Sequence, residues 1–346
     1  MNCFLPVMGT TAQAAAMRQG IKINFFISTK VLSELNIRFL AIFIKKTMKK
    51  HLLYMAALFT FSVINAQTTS LPDKLVAEDA ALNKSGTGYS FTEGSSVAAD
   101  GRVFFTDQPN DRIYVWDEKE GISLFIEGSE RSNGTWFDRH GNLLACADLH
   151  NRLMKFSPAG EMTVLYDGGF EGSHFNGPND LWQDKKGGIY FTDPYYHRAY
   201  WPEGHKQLLD AQAVYYLKPS GELIRVIGDL GQPNGIVGTP DGRFLYVADI
   251  MGRTTWRYNI QEDGSLANKT SFAPAGSDGM TVDNQGNVYL TFGRVLIFDK
   301  NGEKAGEIEL PEMPSNLCFG GRDRRTLFIT ARTSVYTIEM KVSGVE

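Results

Sequence analysis

Six side chains that end in oxygen recur at one place in a repeat: Glu93, Asn133, Asn179, Asn234, Asp278 and Asn316. Each opens a short apolar run that meets a turn seven residues later, at Asp100, His140, Lys186, Asp241, Gln285 and Asp323. If the repeats stand around one axis, these six distant positions become neighbours. Glu93 and Asp278 would then bring two negative charges, and Asn179 and Asn234 two neutral amide oxygens, a set that balances one divalent cation. An all-oxygen set without His or Cys suits a hard ion: Ca²⁺ first, Mg²⁺ or Mn²⁺ next, with Zn²⁺ further down the order. An ion with open positions is a Lewis acid toward a carbonyl or phosphoryl oxygen and activates bound water, which points to metal-assisted hydrolysis. A plainer role is also open, because Asn and Asp cap turns through hydrogen bonds to nearby backbone. That role accounts for each Asn singly but poorly for Glu93, a residue type depleted in strands and costly to bury without a partner. Asn133 and Asn316 stand between the two, as substrate or water contacts or as parts of the fold.

The elements that must position these residues are strands. After each turn comes an apolar run (RVFFTD from Arg102, NLLACAD from Asn142, GIYFTD from Gly188, RFLYVAD from Arg243, NVYLTF from Asn287, RTLFIT from Arg325). A third run follows, as RIYVWD, RLMKFS, AVYYLK, TTWRYN, RVLIFD and SVYTIE, alternating aromatic or β-branched residues with polar ones in the manner of half-buried antiparallel strands. Turn clusters such as Ser157-Pro158-Ala159-Gly160 and Lys218-Pro219-Ser220-Gly221 lead into a fourth. Four-stranded units at this spacing predict an all-β fold, a six-bladed β-propeller whose innermost strands line a central channel. The sixth repeat ends after its third strand, so a strand-like N-terminal stretch at 74–78 is expected to complete it and close the ring.

Composition narrows the function classes. The chain of 346 residues has a formal charge of -4, with Lys and Arg scattered along the blades, and this argues against nucleic-acid binding. Met48-Lys49-Lys50, the apolar stretch 52–64 and the small-residue site Asn65-Ala66-Gln67 read as a secretory signal peptide over 48–66, which makes the product secreted or periplasmic. Residues 1–47 lie in front of a complete signal and read as an upstream extension, leaving 67–346 as the catalytic propeller. The alternative is that 39–44 and 52–64 form interfacial or anchoring helices. No later stretch has the length of a membrane span, so no stable membrane insertion of the mature protein is expected. Cys146 and Cys318 fall in non-adjacent blades and read as buried free thiols. G-x-S-x-G, H-E-x-x-H and C-x-x-C are absent, which leaves serine-hydrolase and zincin chemistry without a foothold. His174 precedes the Asn179 motif and is a candidate substrate contact. The stretch 194–211 is an insertion in blade three, where Tyr195, Tyr196, His197 and Trp201 either meet a sugar or pin the loop.

Four motifs in order, Phe91-Thr92-Glu93-Gly94, Phe175-Asn176-Gly177-Pro178-Asn179-Asp180-Leu181, Pro233-Asn234-Gly235 and Ser277-Asp278-Gly279-Met280, resemble the gluconolactonase, senescence-marker protein (regucalcin) and luciferin-regenerating enzyme family over 74–340. The run at 177–182 with Tyr-Phe-Thr-Asp-Pro at 190–194 is most similar to its bacterial gluconolactonase branch. The resemblance implies one divalent cation held by Glu93, Asn234 and Asp278. It also implies that Asn179 touches substrate, as in the lactonases, or coordinates calcium, as in related phosphotriesterase propellers. The chain departs from the regucalcin branch at Gly177, where that branch has Arg, so a sugar lactone would need other partners, such as His174 or the insertion. Thr281 stands where the phosphotriesterase relatives use His for a second, buried calcium, and one catalytic metal is therefore expected. The implied activity is hydrolysis of a sugar lactone such as glucono-1,5-lactone to the aldonic acid. Asp278 would take the proton of the attacking water, or attack directly as proposed for the phosphotriesterases. A phosphotriesterase-like hydrolase on the same site and a non-catalytic propeller that binds a sugar or a protein are the rival readings.

Overall fold

The computed structural model describes residues 72–201, 203–204 and 206–346. The extension at 1–47, the signal peptide at 48–66 and His205 of the insertion lie outside the described residues. The rest forms six four-stranded antiparallel sheets, each traced from the inside outward. Blade one runs through Thr92–Val97, Val103–Asp107, Arg112–Asp117 and Gly121–Glu127. Innermost strands of the others are Ser132–Phe137, Leu181–Gln183, Pro233–Gly238, Met280–Val282 and Asn316–Gly320. Each innermost strand neighbours that of the next blade, and the sixth returns to the first, which closes the ring. Among the described residues the one helical segment is a short 3₁₀ turn, Gln108–Asn110, and no helix is long and apolar enough to cross a membrane.

Burial follows position in the blade. The first two strands of blade one are buried along their whole length, while its outer strand Gly121–Glu127 is largely exposed. Apolar residues pack between sheets: Phe105, Trp116, Cys318, Phe328 and Val335 join blades six and one. At roughly 2–3 kcal/mol for each buried aromatic side chain, these contacts between blades hold the ring. Cys146 and Cys318 are both buried free thiols, in blades two and six.

Ring closure differs in place from the sequence expectation. The completing strand is Asn83–Thr87, paired antiparallel with Ser334–Glu339. Residues 74–78 contribute only the isolated bridge of Val76 to Met340, with Leu75 and Val76 buried among Ile338, Met340 and Val342. The physical reason is that an outermost strand needs no apolar face. NKSGT is held by its ladder and by hydroxyl pairs, Ser85 Oγ with Thr337 Oγ1 at 2.9 Å and Thr87 Oγ1 with Ser334 Oγ at 3.0 Å. Such a segment has no periodic hydrophobic signal, whereas 74–78 owes its apolar residues to the core.

Candidate active site at the channel mouth

The innermost strands present their oxygen-bearing side chains through a local irregularity. In blades one, two and four the register with the second strand shifts between Glu93 and Ser96, between Ser132 and Thr135, and between Pro233 and Ile236. Bulges of this kind re-aim a side chain. Glycine follows Glu93, Asn133, Asn234 and Asp278, and at Gly94 the reason is plain. Its φ is +50°, and a Cβ there would lie 1.8 Å from the Asn133 carbonyl oxygen. The neighbouring strands also exchange hydrogen bonds: Gly134 N donates to Asn179 O at 2.7 Å and Gly235 N to Ser277 O at 3.2 Å.

At the mouth, Glu93, Asn234 and Asp278 come together. Asn234 Nδ2 donates to Asp278 Oδ1 at 2.8 Å and to the Tyr196 hydroxyl at 2.8 Å. With both contacts on its nitrogen, Asn234 Oδ1 is left buried with no hydrogen-bond partner. Burial, then the charges of Asp278 and Asp180, holds the Glu93 carboxyl well above the usual carboxylate range. Asp278 is pushed up to about 6, chiefly by burial, against the lowering effect of the hydrogen bonds with Asn234 and with the Glu93 carboxyl and of the positive charges of Arg198 and Arg332. Asp180 stands beside this group at about 8, again through burial, although Leu181 N and Ile236 N donate to it. Among the described residues no group of three His, Cys, Asp or Glu side chains forms a metal cluster. The set here is of another kind, two carboxylates with amides. An orphaned amide oxygen beside two crowded carboxyl groups, both raised mainly by burial, fits a hard cation.

The other predicted residues are placed as follows. Asn133 and Asn179 are both nearly buried, and among the described residues neither side chain has a hydrogen-bond partner, so both amides are available to a ligand. Asn316 serves the fold, since its Oδ1 accepts from Ser95 Oγ and Leu317 N. His174 is exposed and lines a groove of about 370 Å³ with His150, Trp201, Lys206 and Leu208. Among the described residues no hydrogen bond joins His174, Tyr195 or His197 to the Glu93, Asn234 and Asp278 group; Tyr195 N instead donates to Gln212 Oε1 at 2.7 Å, and His197 is exposed.

The insertion between Ile189–Asp193 and Ala213–Leu217 is anchored on Asp148, a residue that the sequence reading passed over. Asp148 Oδ2 accepts from Gln108 Nε2 and the Tyr200 hydroxyl, each at 2.8 Å, and pairs with Arg198 Nε at 2.5 Å. Trp201 Nε1 donates to the Asp148 carbonyl at 3.0 Å. Trp201 and Tyr200 thus pin the loop, and Tyr196 rather than Tyr195 or His197 reaches the mouth. A signal existed: FTD, CAD, FTD and VAD close four second strands, with Asp107, Asp193 and Asp249 as their last residues and Asp148 one residue past Ala147.

Comparison with known proteins agrees with this fold. A model described as the SMP-30/gluconolactonase/LRE-like region matches residues 91–333. The gluconolactonase of Zymomonas mobilis is 29% identical over 305 residues, 80% of this chain and 83% of that protein. A solved gluconolactonase from Xanthomonas campestris is 26% identical with a TM-score of 0.71, covering 77% of this chain and 91% of that one. The calcium-binding protein regucalcin from Agrobacterium tumefaciens, 17% identical, shares the fold with a TM-score of 0.63 over 77% of this chain and 95% of its own.

Proposed function

The chain belongs to the SMP-30/gluconolactonase/LRE-like family, and from that premise we propose that it is a hydrolase of cyclic esters, a lactonase that opens a sugar lactone such as glucono-1,5-lactone to the aldonic acid. The observation that carries the reading is the buried, unpartnered Oδ1 of Asn234 beside the Glu93 and Asp278 carboxylates. Glu93, Asn234 and Asp278, with Asn179 beside them, would hold one divalent cation, Ca²⁺ ahead of Mg²⁺, Mn²⁺ or Zn²⁺. When bound, the cation supplies Lewis-acid polarisation of the lactone carbonyl.

The protein's own groups supply the rest. Asp278 accepts from Asn234 at Oδ1 and also meets the Glu93 carboxyl, and it is the group that would take the proton of the attacking water. Asn133 and Asn179 offer amide groups to the lactone carbonyl or ring hydroxyls, in place of the arginine that Gly177 does not provide. His174, Tyr195 and His197 would meet only a substrate that extends out of the mouth over the insertion. Export through 48–66 completes the proposal and is checked by sequencing the N-terminus of the mature protein.

The reading is tested by acid release from glucono-1,5-lactone in a pH-stat, with spontaneous hydrolysis subtracted, after EDTA and then with each cation. Activity lost with EDTA and restored by a cation supports it. A folded protein that is inactive with every cation overturns it in favour of a binding propeller or another ester.

A further inference from the structure

Tyr196 is the insertion residue that reaches the acidic group, and its hydrogen bonding leaves it with something to give. Its hydroxyl oxygen accepts from Asn234 Nδ2 at 2.8 Å, the nitrogen that also donates to Asp278 Oδ1 at 2.8 Å. A phenol that accepts on its oxygen keeps its own O–H as a donor. Among the described residues no acceptor takes that hydrogen. The ring is also well fixed: the Arg198 guanidinium lies 5.3 Å from its centroid, and Arg198 is paired with the buried Asp148.

We propose that Tyr196 donates a hydrogen bond to the ring oxygen of the bound lactone, turning that oxygen toward Asp278 and stabilising it while the acyl C–O bond breaks. The proposal rests on the lactonase reading and adds to it the group that attends the leaving oxygen. Water oxygen bonds to the carbonyl carbon and gives a proton to Asp278. The ring C–O bond then breaks with its electron pair on the ring oxygen, which takes the proton back from Asp278. Tyr196 gains and loses nothing over the cycle, and the hydroxy-acid product ionises in solution. Because Tyr196 and Asp278 flank one amide nitrogen, a single oxygen atom set between them faces both.

The experiment compares Tyr196→Phe with the wild-type chain on two lactones that differ in their leaving oxygen. Glucono-1,5-lactone expels an alkoxide, which needs a donor; 3,4-dihydrocoumarin expels a phenolate, which needs little help. The expected result is a fall in kcat of about 10²-fold on the first and under about fivefold on the second, with KM little changed, the size of effect seen when one charge-stabilising donor is removed. Equal losses on both lactones would make Tyr196 a prop for Asn234 and overturn the proposal, as would a rise in KM alone. A wild-type protein inactive on both lactones removes the lactonase reading and the proposal together. Should the variant not fold, 3-fluorotyrosine at position 196 decides, since it keeps the O–H but makes it more acidic: a change in kcat on glucono-1,5-lactone without one on 3,4-dihydrocoumarin is expected, and equal effects on both overturn the role.

Discussion

Asn234 grips Asp278 by one 2.8 Å hydrogen bond from Nδ2 to Oδ1, and in doing so turns its own Oδ1 into a buried acceptor with nothing to accept. The amide nitrogen is committed to the carboxylate and the amide oxygen is left bare. Asn234→Ala removes both functions. Ca²⁺ affinity is expected to fall roughly 10- to 100-fold, the usual cost of losing a group that binds or orients at a metal site. Titration calorimetry measures it, and unchanged affinity would place the cation elsewhere.

Asp278→Asn keeps the size of the side chain and removes the base. A general base contributes about 10²- to 10⁴-fold, so kcat on glucono-1,5-lactone should drop by that factor while calorimetry still finds Ca²⁺ bound. A variant that binds Ca²⁺ and keeps near wild-type turnover would take the base role away from Asp278.

The raised carboxyl groups set a direction for stability against pH. Asp278 at about 6, Asp193 at about 7 and Asp180 at about 8 all lie above the ordinary 3.8, each mainly through burial. Between the ordinary value and the raised one, the folded protein holds more protons than the unfolded chain, so stability falls as pH rises through that window. In EDTA, Tm should decline by several degrees between about pH 5 and pH 8, since each kcal/mol moves Tm by a few degrees in a domain of this size. Carboxylates held low, such as Glu312 at about 2, act at more acid pH and do not reverse the slope. Added Ca²⁺ should raise Tm more at pH 8 than at pH 5, because fewer protons must leave the ligands. A Tm in EDTA that climbs over the same range contradicts the charge arrangement.

The blades and the convergence of Glu93, Asn234 and Asp278 were legible because both are repeated: the apolar runs give a period, and the oxygen-bearing residues keep a fixed phase within it. What stayed hidden lacks a period. Asn83–Thr87 closes the ring with hydroxyls and backbone alone. Tyr196 is one aromatic among several in a loop, and only its contact with Asn234 separates it from Tyr195. Asp148 belongs to a visible series, but its use does not follow from the pattern: Asp107, Asp193 and Asp249 accept backbone N–H groups of Ser90, Gly177 and Gln232, while Asp148 serves the insertion.

Gly94 tests how tightly blades one and two approach. Gly94→Ala puts a Cβ 1.8 Å from a backbone carbonyl at a φ of +50°, and neither strand can yield without breaking its ladder. Gly88 has a φ of +97° with nothing within 4 Å of its would-be Cβ, so Gly88→Ala meets backbone strain alone. The expected costs are about 1 kcal/mol at Gly88 and at least about 3 kcal/mol at Gly94, where overpacking adds to the strain. Chemical denaturation of the two variants compares them, and equal costs would mean that the strands separate easily.

Asp148 decides whether the insertion is a fixed wall or a moving one. The carboxylate is 1% exposed and takes Gln108, Tyr200 and Arg198, while its main chain takes Trp201. Removing its charge strands Arg198 without a counterion and loosens three contacts at once. Asp148→Asn should cost about 2–4 kcal/mol, toward the lower part of the range for a broken buried pair because Arg198 retains some solvent. Asp210 makes a like pair with Arg225 but is 71% exposed at its side chain, so Asp210→Asn should stay within about 0.5 kcal/mol. Limited proteolysis separates the two: Asp148→Asn should be cut within 194–211 much faster than wild type, and Asp210→Asn at the wild-type rate. With the wall loosened, Tyr196 is no longer fixed over Asn234, so kcat on glucono-1,5-lactone should fall along with the protection. An insertion that stays protected in Asp148→Asn would show that Trp201 and the backbone hold it without the charge.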